Sequence, residues 1–164
     1  MNNTYWFKCG IFALSALMFV GCATKLADNE SEKTLDYGMA NSKKIEIKNS
    51  ATSKTFVMVT YLNPIKNELI DQESEKFVVG TYKATGDGAF ERVSFNGYKV
   101  NGNDENVTVT PLEFGAPLLK LVSTANAWSN YVLVQAPKTE KINMELSFEN
   151  DRSEKVSVNF RKDF

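Results

Sequence analysis

The stretch INMELSF (142–148) alternates apolar and polar residues, and after a polar break the alternation resumes in VSVNF (156–160). A period of two is typical of a strand with one buried face, and Asn150 supplies turn chemistry between the two stretches. Shifting the register by one residue would bury Glu145 and expose Leu146, at a cost of about 2 kcal/mol for the apolar side chain alone. We therefore predict a hairpin. Its core face would carry Ile142, Met144, Leu146, Phe148, Val156, Val158 and Phe160.

Upstream of this hairpin, further short segments are rich in β-branched and aromatic residues and are separated by turn residues. They are centred on Ile45 and Ile47 and cover residues 55–62, 76–83, 92–100, 106–110, 118–123 and 130–135. The separators include Asn63-Pro64, since proline has no N–H for a strand ladder. Only residues 64–71 have a pattern that fits a helical turn. About nine strands without a long helical pattern predict an all-β fold with a single antiparallel β-sandwich.

Apolar residues in the predicted strands are the candidates for the core. They are Val57, Val59, Tyr61, Val78, Val93, Phe95, Leu119, Leu121, Tyr131 and Leu133. We expect Trp128 in the core or at its edge, and the alternative is an exposed contact residue. The run GAPLLKLV (115–122) could form an exposed adhesive patch, but we favour Leu119 and Leu121 as one core face.

An apolar segment precedes the β-rich part of the chain. Residues 9–20 are apolar apart from Ser15, and Lys8 is the only basic residue before them. A membrane-spanning helix needs roughly 20 apolar residues, so this segment is more typical of an export signal. The alternatives are an uncleaved short anchor or a buried helix, but the polar stretch at 23–48 neither extends the segment nor packs against it.

The segment ends in Phe19-Val20-Gly21-Cys22, which resembles the lipobox of bacterial lipoproteins. The resemblance implies that the Cys22 thiol receives a diacylglyceryl group, that the chain is cut before it, and that the new N-terminus is acylated with a fatty acid such as palmitate. Ala23 stands where an aspartate would favour inner-membrane retention in that family. The resemblance therefore implies delivery to the outer membrane.

This processing divides the chain into three parts: residues 1–21 as signal peptide, 22–43 as a lipidated polar tether, and 44–164 as the β-sandwich. About twenty flexible tether residues would reach on the order of 25 Å. Cys9 would leave with the signal and Cys22 would be acylated, so the mature chain would hold no free thiol. Loss of Lys8 leaves 18 basic and 20 acidic residues, and nothing in this balance favours nucleic acid as a partner.

The number and spacing of the predicted strands resemble the immunoglobulin-like sandwiches of several small bacterial lipoproteins. The similarity covers residues 44–164 and includes no Cys-Trp-Cys signature. A transthyretin-like sandwich, as in the outer-membrane lipoproteins of type VI secretion, is the alternative.

The sequence lacks residue types that several kinds of catalytic site require. The chain has no histidine, and the mature part would have no free cysteine, which excludes triads that use either residue and the commonest zinc sites. Ser42-Lys43, Ser53-Lys54 and Ser123 offer only adjacency for a serine–lysine pair, because neighbouring strand residues point to opposite faces. We interpret the carboxylates Glu73, Glu75, Asp104 and Glu105 as a solvated rim. We expect no catalytic residues, no cofactor and no metal.

The loop NGNDEN (101–106) offers several oxygen ligands that would suit calcium, but it lacks the spacing of an EF-hand, and Asn-Gly alone explains a turn. Residues 104–108 also resemble the bacterial N-glycosylation sequon D/E-x-N-x-S/T. That resemblance makes Asn106 a candidate glycosylation site.

The sequence thus predicts a lipid-anchored cell-envelope lipoprotein that acts as a non-catalytic binding module. We expect the membrane as one partner, through the lipid, and another envelope protein or a surface ligand as the second. The alternatives are an accessory lipoprotein for assembly of an envelope complex or a secretion system, a carboxylate-based hydrolase, and a carrier of a small ligand.

Overall fold

The computed structural model describes residues 38–150 and 155–162. This part of the chain is mostly strand, with helical turns only at residues 38–40 and in the 3-10 helix Pro117–Leu121. No helix within it is long and apolar enough to cross a membrane. The strands are β1 (Ser42–Lys48), β2 (Ser53–Tyr61), β3 (Ser74–Thr85), β4 (Phe90–Arg92), β5 (Asn96–Val100), β6 (Thr108–Leu112), β7 (Asn130–Pro137), β8 (Asn143–Glu149) and β9 (Lys155–Arg161).

The strands form two antiparallel sheets. The large sheet has the order β1-β2-β3-β7-β6, and β4 pairs with the end of β3. The small sheet has the order β5-β8-β9. Residues 74–81 of β3 pair with β7 and residues 82–84 pair with β4. One edge of β3 therefore pairs with β7 along its first part and with β4 along its last part.

The main core lies between the two sheets. Apolar residues alternate on the facing sides of the strands, as the period of two requires. From the large sheet come Val57, Val59, Tyr61, Phe77, Val79, Val134 and Ala136; from β5 and its approach come Phe95, Tyr98 and Val100; from β8 and β9 come Met144, Leu146, Phe148, Val156, Val158 and Phe160. We call the side of the large sheet that faces this core its inner face.

The predicted β8–β9 hairpin is confirmed, with Met144 paired to Phe160 and Leu146 to Val158. All of its predicted core residues are buried except Ile142, which is 49% exposed. That residue was wrongly placed in the core, because β8 begins only at Asn143 and Ile142 lies beyond the end of the small sheet.

A second core covers half of the other side of the large sheet, its outer face. Residues 62–70 and 117–122 form an outer layer here, and their buried side chains are Leu62, Ile65, Ile70, Leu119, Leu121 and Val122. They pack on Val78, Tyr131 and Leu133 from β3 and β7. Strand β3 is therefore buried on both faces, which explains its continuous apolar run at residues 77–79.

Three local predictions are wrong. Residues 118–123 include a 3-10 helix rather than a strand; Leu119 and Leu121 are buried, as expected of a core face. The segment 92–100 is broken at residues 93–95 into β4 and β5, and residues 64–71 form turns rather than a helix. Of the ten core candidates, all are buried except Val93, which is half-buried and packs against the main core.

Candidate binding surface

The uncovered half of the outer face carries a row of four aromatic rings. Phe56 and Tyr82 lie opposite each other on β2 and β3 and stack with their centroids 5.0 Å apart. Phe90 on β4 meets Tyr82 edge-on at 5.8 Å and stacks on Trp128 at 5.3 Å. We call Phe56, Tyr82, Phe90 and Trp128 the aromatic strip.

The strip is accessible because the outer layer ends beside it. Phe90 is 53% exposed and Trp128 is 47% exposed, whereas Phe56 and Tyr82 are half-buried between their neighbours. Trp128 was expected in the core or at its edge. It lies in the loop before β7, and its ring instead stacks on Phe90 of β4. The exposure agrees with the alternative, and the role of Trp128 as a contact residue stays a prediction.

The loop that carries Trp128 is held by hydrogen bonds on both sides of the tryptophan. The Asn126 side-chain oxygen accepts bonds from the backbone N–H of Ser129 at 2.9 Å and from its hydroxyl at 2.7 Å. Arg92 donates to the carbonyl of Ala127 at 3.3 Å. The position of the Trp128 ring is therefore fixed by its own loop and by β4.

Cations surround the strip. The strand register places Lys44, Lys48, Lys54 and Arg92 on the same face as Phe56 and Tyr82. Glu46 is the one acid on this face of β1 to β4, and it accepts bonds from Lys44 at 3.1 Å and from Lys54 at 3.2 Å. The bonds from these two lysines hold the pKa of Glu46 below its usual value.

One of these cations contacts a ring of the strip, and two others face each other. Lys44 Nζ lies 4.6 Å from the centroid of the Phe56 ring, a cation–π distance. Lys48 and Lys54 lie directly opposite each other in the β1–β2 ladder, where like charges destabilise a sheet. The chain has a formal net charge of −1, so the excess of cations is local to this surface.

The exposed apolar side chains favour the same side of the molecule. Of the seven large ones in the described part of the chain, Phe90 and Trp128 belong to the strip, and Leu69 and Phe114 belong to segments beside or within the outer layer. Met39 follows Gly38, where an added Cβ would lie 2.6 Å from the carbonyl oxygen of Leu121. Met39, Leu69 and Phe114 together with the strip define the outer side of the large sheet.

The outward face of the small sheet is different in kind. Its residues alternate with the buried apolar ones of β5, β8 and β9. They are Lys99, Glu145, Ser147, Glu149, Lys155, Ser157, Asn159 and Arg161. One side of the molecule therefore carries exposed apolar residues and the opposite side is polar.

A buried charged cluster lies at one end of the two sheets. Glu75 on β3 is only 1% exposed, and three donors bind its carboxylate. The Tyr61 hydroxyl donates to Oε2 at 2.7 Å, and the Thr139 N–H and Lys162 Nζ donate to Oε1 at 3.0 and 2.5 Å. Lys162 also donates to the Thr139 carbonyl. We call these four residues the Glu75 cluster.

The Glu75 cluster corrects the prediction that this carboxylate belongs to a solvated rim. Burial by itself would raise the pKa of Glu75, but the bonds from Lys162, Thr139 and Tyr61 outweigh burial and hold it below its usual value of 4.5. The Tyr61 pKa is raised by burial and by the adjacent carboxylate. Glu75 is thus an ionised acceptor whose two oxygens are engaged, an arrangement that joins chain segments.

Lys76, the next residue along β3, points to the other face and is also buried. Its Nζ donates to Asp71 Oδ1 at 2.7 Å and to Ser74 Oγ at 2.6 Å. The Lys76 side chain is the main reason why the pKa of Asp71 lies below its usual value. Adjacent residues of one strand therefore form two separate ion pairs on opposite faces of the sheet.

The loop at residues 101–106 is organised by Asn101. Its N–H donates to the carbonyl of Glu145 at 2.8 Å, and its side-chain oxygen accepts from the Glu145 N–H at 3.0 Å. Asn101 and Asn106 both have positive φ, as left-handed turn residues do, and Asn106 is exposed. Among the described residues, no group of three or more acidic, histidine or cysteine side chains is placed to hold a metal. Glycosylation of Asn106 stays a prediction.

The remaining sequence candidates fall in different places. Ser42 Oγ donates to the Gly38 carbonyl at 2.6 Å and bonds with the Thr60 hydroxyl at 2.7 Å, while the hydroxyls of Ser53 and Ser123 are buried without a hydrogen-bond partner. Glu73, Asp104 and Glu105 are exposed, as predicted. Cys22, the predicted lipidation residue, lies outside the described residues.

An open cleft of about 430 Å³ lies where β3 and β4 approach the small sheet. It is lined mainly by polar side chains, among them Asn49, Lys83, Glu91 and Asn96. Its openness and polar lining differ from the enclosed apolar cavity that a carrier of small apolar ligands would use.

Comparison with protein-family models, with curated proteins and with solved structures finds no match to this chain.

Proposed function

We propose that this chain is a lipid-anchored lipoprotein of the outer membrane, attached through diacylglyceryl-modified Cys22, and that it acts as a non-catalytic binding module in the cell envelope. The resemblance of residues 19–22 to a lipobox supports the anchor. The outer side of the large sheet supports the binding role.

The observation that carries the binding role is the concentration of exposed apolar side chains on one side of the molecule. Trp, Tyr and Arg are the residue types that dominate the energetics of contact surfaces, and Trp128, Tyr82 and Arg92 lie together here. Exposed apolar patches with polar surroundings mark interaction sites. A surface made only for solvent would carry the charged and polar residues that cover the small sheet.

Anchoring at Cys22 would strengthen such binding without any further contact. A lipid anchor would confine the module near the membrane and raise its effective concentration toward partners held in the same membrane. In this account the lipid supplies location and the outer side of the large sheet supplies contact, with an envelope protein or surface component as partner.

The Glu75 cluster supports a structural rather than a catalytic role for the most buried carboxylate. A general acid or base needs a free site for the proton that it moves, whereas Glu75 is held by Tyr61, Thr139 and Lys162. The depressed pKa also keeps Glu75 from acting as an acid near neutral pH.

For the fold, we propose an immunoglobulin-like β-sandwich, with a transthyretin-like sandwich as the alternative. The support is that two antiparallel sheets pack face to face over one shared core, as sheets in sandwiches do.

Palmitate labelling and crosslinking in the native host test this function. We expect the wild-type chain to incorporate labelled palmitate and Cys22→Ser to lose it. Crosslinking on native membranes should capture a partner that Phe90→Ser/Trp128→Ser loses. The matched control Val109→Ser/Ile142→Ser changes two exposed apolar residues away from the outer side and should keep that partner. Labelling that survives Cys22→Ser, or equal capture by both double variants, contradicts the proposal.

A further inference from the structure

We propose that the partner of the outer side of the large sheet is an anionic lipid surface, so that the module lies with its aromatic strip against the bilayer. This inference rests on the proposed binding function and names the chemistry of its partner. It concerns how the described residues meet lipid, which is separate from whether Cys22 is acylated.

The residue types on this side match a bilayer interface. Tryptophan and tyrosine combine an apolar ring with a polar tip and are enriched where headgroups meet hydrocarbon, and Trp128 and Tyr82 are neighbours of Phe90 in the strip. Lysine and arginine side chains lie along apolar surface while their charges reach anionic headgroups. Four cations and one acid flank the strip.

The pairing of Lys48 with Lys54 gives a more specific reason. Two like charges directly opposite in a ladder cost stability in the isolated protein. Glu46, the one acid on their face of β1 to β4, is shared between Lys44 and Lys54, and among the described residues Lys48 has no acidic partner. An anionic headgroup near this pair would offset their repulsion. The arrangement is therefore complementary to a surface of negative charge.

The position at which the described chain enters the large sheet also supports a membrane-facing outer side. Ser42, the first residue of β1, bonds to Thr60 on the outer face and to the carbonyl of Gly38. Gly38 itself lies against the backbone of Leu121 in the outer layer. The described part of the chain thus begins on the outer side, so an anchor at Cys22 would be attached to the domain from this side.

The breadth of the surface distinguishes a bilayer from a single bound peptide. Leu69 and Phe114 lie with the outer layer and Met39 with the entering chain, beside the strip rather than within it. A peptide bound in one groove contacts a narrow strip, while a lipid surface can contact exposed apolar residues that are spread over one side of a molecule. The polar face of the small sheet would then point away from the membrane.

The test uses the full chain with Trp6→Phe and Cys22→Ser, which leaves Trp128 as the only tryptophan and prevents acylation. Its emission is measured with vesicles of phosphatidylcholine, with and without phosphatidylglycerol, and with brominated lipids as quenchers. We expect a blue shift and quenching of Trp128 on the vesicles that contain phosphatidylglycerol, with both effects reduced by salt.

Matched charge variants test the electrostatic part. The apparent affinity for vesicles is taken from the Trp128 shift as a function of lipid concentration. Lys48→Gln/Lys54→Gln should lower this affinity by about tenfold or more, since each basic residue near an anionic surface contributes about 1 kcal/mol. Lys99→Gln/Lys155→Gln removes two lysines from the opposite face and should leave the affinity unchanged. Circular dichroism of each variant confirms that the sheets are formed.

The apolar residues 9–20 could hold the chain on vesicles by themselves, so the position of Trp128 is the deciding readout. Bound chain with unshifted and unquenched Trp128 overturns the lipid proposal. If, in addition, Phe90→Ser/Trp128→Ser loses a crosslinked protein on native membranes, the partner is that protein and the proposed function stands. If palmitate labelling fails while Trp128 enters the lipid, the anchor is wrong and the lipid surface stands.

Discussion

Lys162 Nζ donates a hydrogen bond of 2.5 Å to Glu75 Oε1 and so joins the central strand of the large sheet to the residue that follows β9 of the small sheet. Thr139, in the connection between β7 and β8, binds the same carboxylate oxygen. With the Tyr61 hydroxyl of β2 on the other oxygen, four separate segments meet at one buried carboxylate. The two sheets share a core along their length, and the Glu75 cluster adds a polar connection at one end.

Replacing Glu75 by glutamine should destabilise the protein. The change removes the charge that compensates Lys162 and weakens charge-assisted bonds, so we expect a loss of about 2 kcal/mol in the free energy of unfolding. Urea denaturation measures it. Glu73→Gln, two residues away at an exposed position, is the control and should change stability by less than about 0.5 kcal/mol. A similar small loss in both variants would show that the cluster contributes little.

The contribution of Glu75 should depend on pH in the acid range. Because its pKa in the folded protein lies below the ordinary value of 4.5, the unfolded chain binds its proton first as pH falls. The stabilisation is fully present above the unfolded pKa and is lost as pH falls through the folded pKa. The stability difference between wild type and Glu75→Gln should thus be constant near neutral pH and shrink below pH 4.5; a difference that grows in acid would contradict this assignment.

Gly80→Ala should be destabilising although it adds only one carbon. Gly80 lies opposite Tyr131, and an added Cβ would lie 2.5 Å from Cε1 of that ring. The ring cannot move freely, because its hydroxyl accepts a hydrogen bond from the Asn126 N–H at 2.7 Å. We expect a loss of about 1–3 kcal/mol by thermal or urea unfolding.

A double-mutant cycle separates this clash from a general loss of packing. Combined with Tyr131→Leu, Gly80→Ala should cost much less, giving a favourable interaction energy of about 1 kcal/mol. Additive effects would mean that the ring does not occupy the space beside Gly80.

Leu146→Ala and Ile142→Ala test the β8–β9 hairpin as a matched pair. Leu146 is fully buried in the main core, so its truncation should cost about 2–5 kcal/mol in unfolding free energy. Ile142 is half-exposed beyond the start of β8, so the same truncation there should cost about 0.5 kcal/mol or less. Equal losses would place Ile142 in the core, as the sequence pattern alone suggested.

Predictions from sequence succeeded where a short-range pattern determines burial. Met144, Leu146 and Phe148 alternate with polar residues, and only one register buries all three. The strand predicted at 118–123 was wrong for a related reason: Leu119 and Leu121 are buried two positions apart in a 3-10 helix, which has the same spacing as one face of a strand. Pro117 at the start of that helix was the available signal, because proline favours the first turn of a helix.

The alternation of apolar and polar residues could not predict contacts between residues that are far apart in the sequence. Glu75 lies in a polar run, and its partner Lys162 is 87 residues away, so nothing local showed that the carboxylate is buried. The cations at positions 44, 48, 54 and 92 do not form a charge run in the sequence; antiparallel pairing of β1 to β4 brings them to one face. The aromatic strip likewise depends on the β3–β4 hairpin and on the position of Trp128.

Photo-crosslinking on native membranes tests whether the outer side of the large sheet is the contact surface of a membrane-anchored module. A photo-reactive phenylalanine analogue replaces Phe114 on the outer side in one sample and Asn159 on the outward face of the small sheet in the other. We predict lipid or partner adducts from position 114 and few from position 159, with the position-114 adducts reduced but still present in Cys22→Ser. Equal adducts from both positions, or adducts only from position 159, would contradict the account.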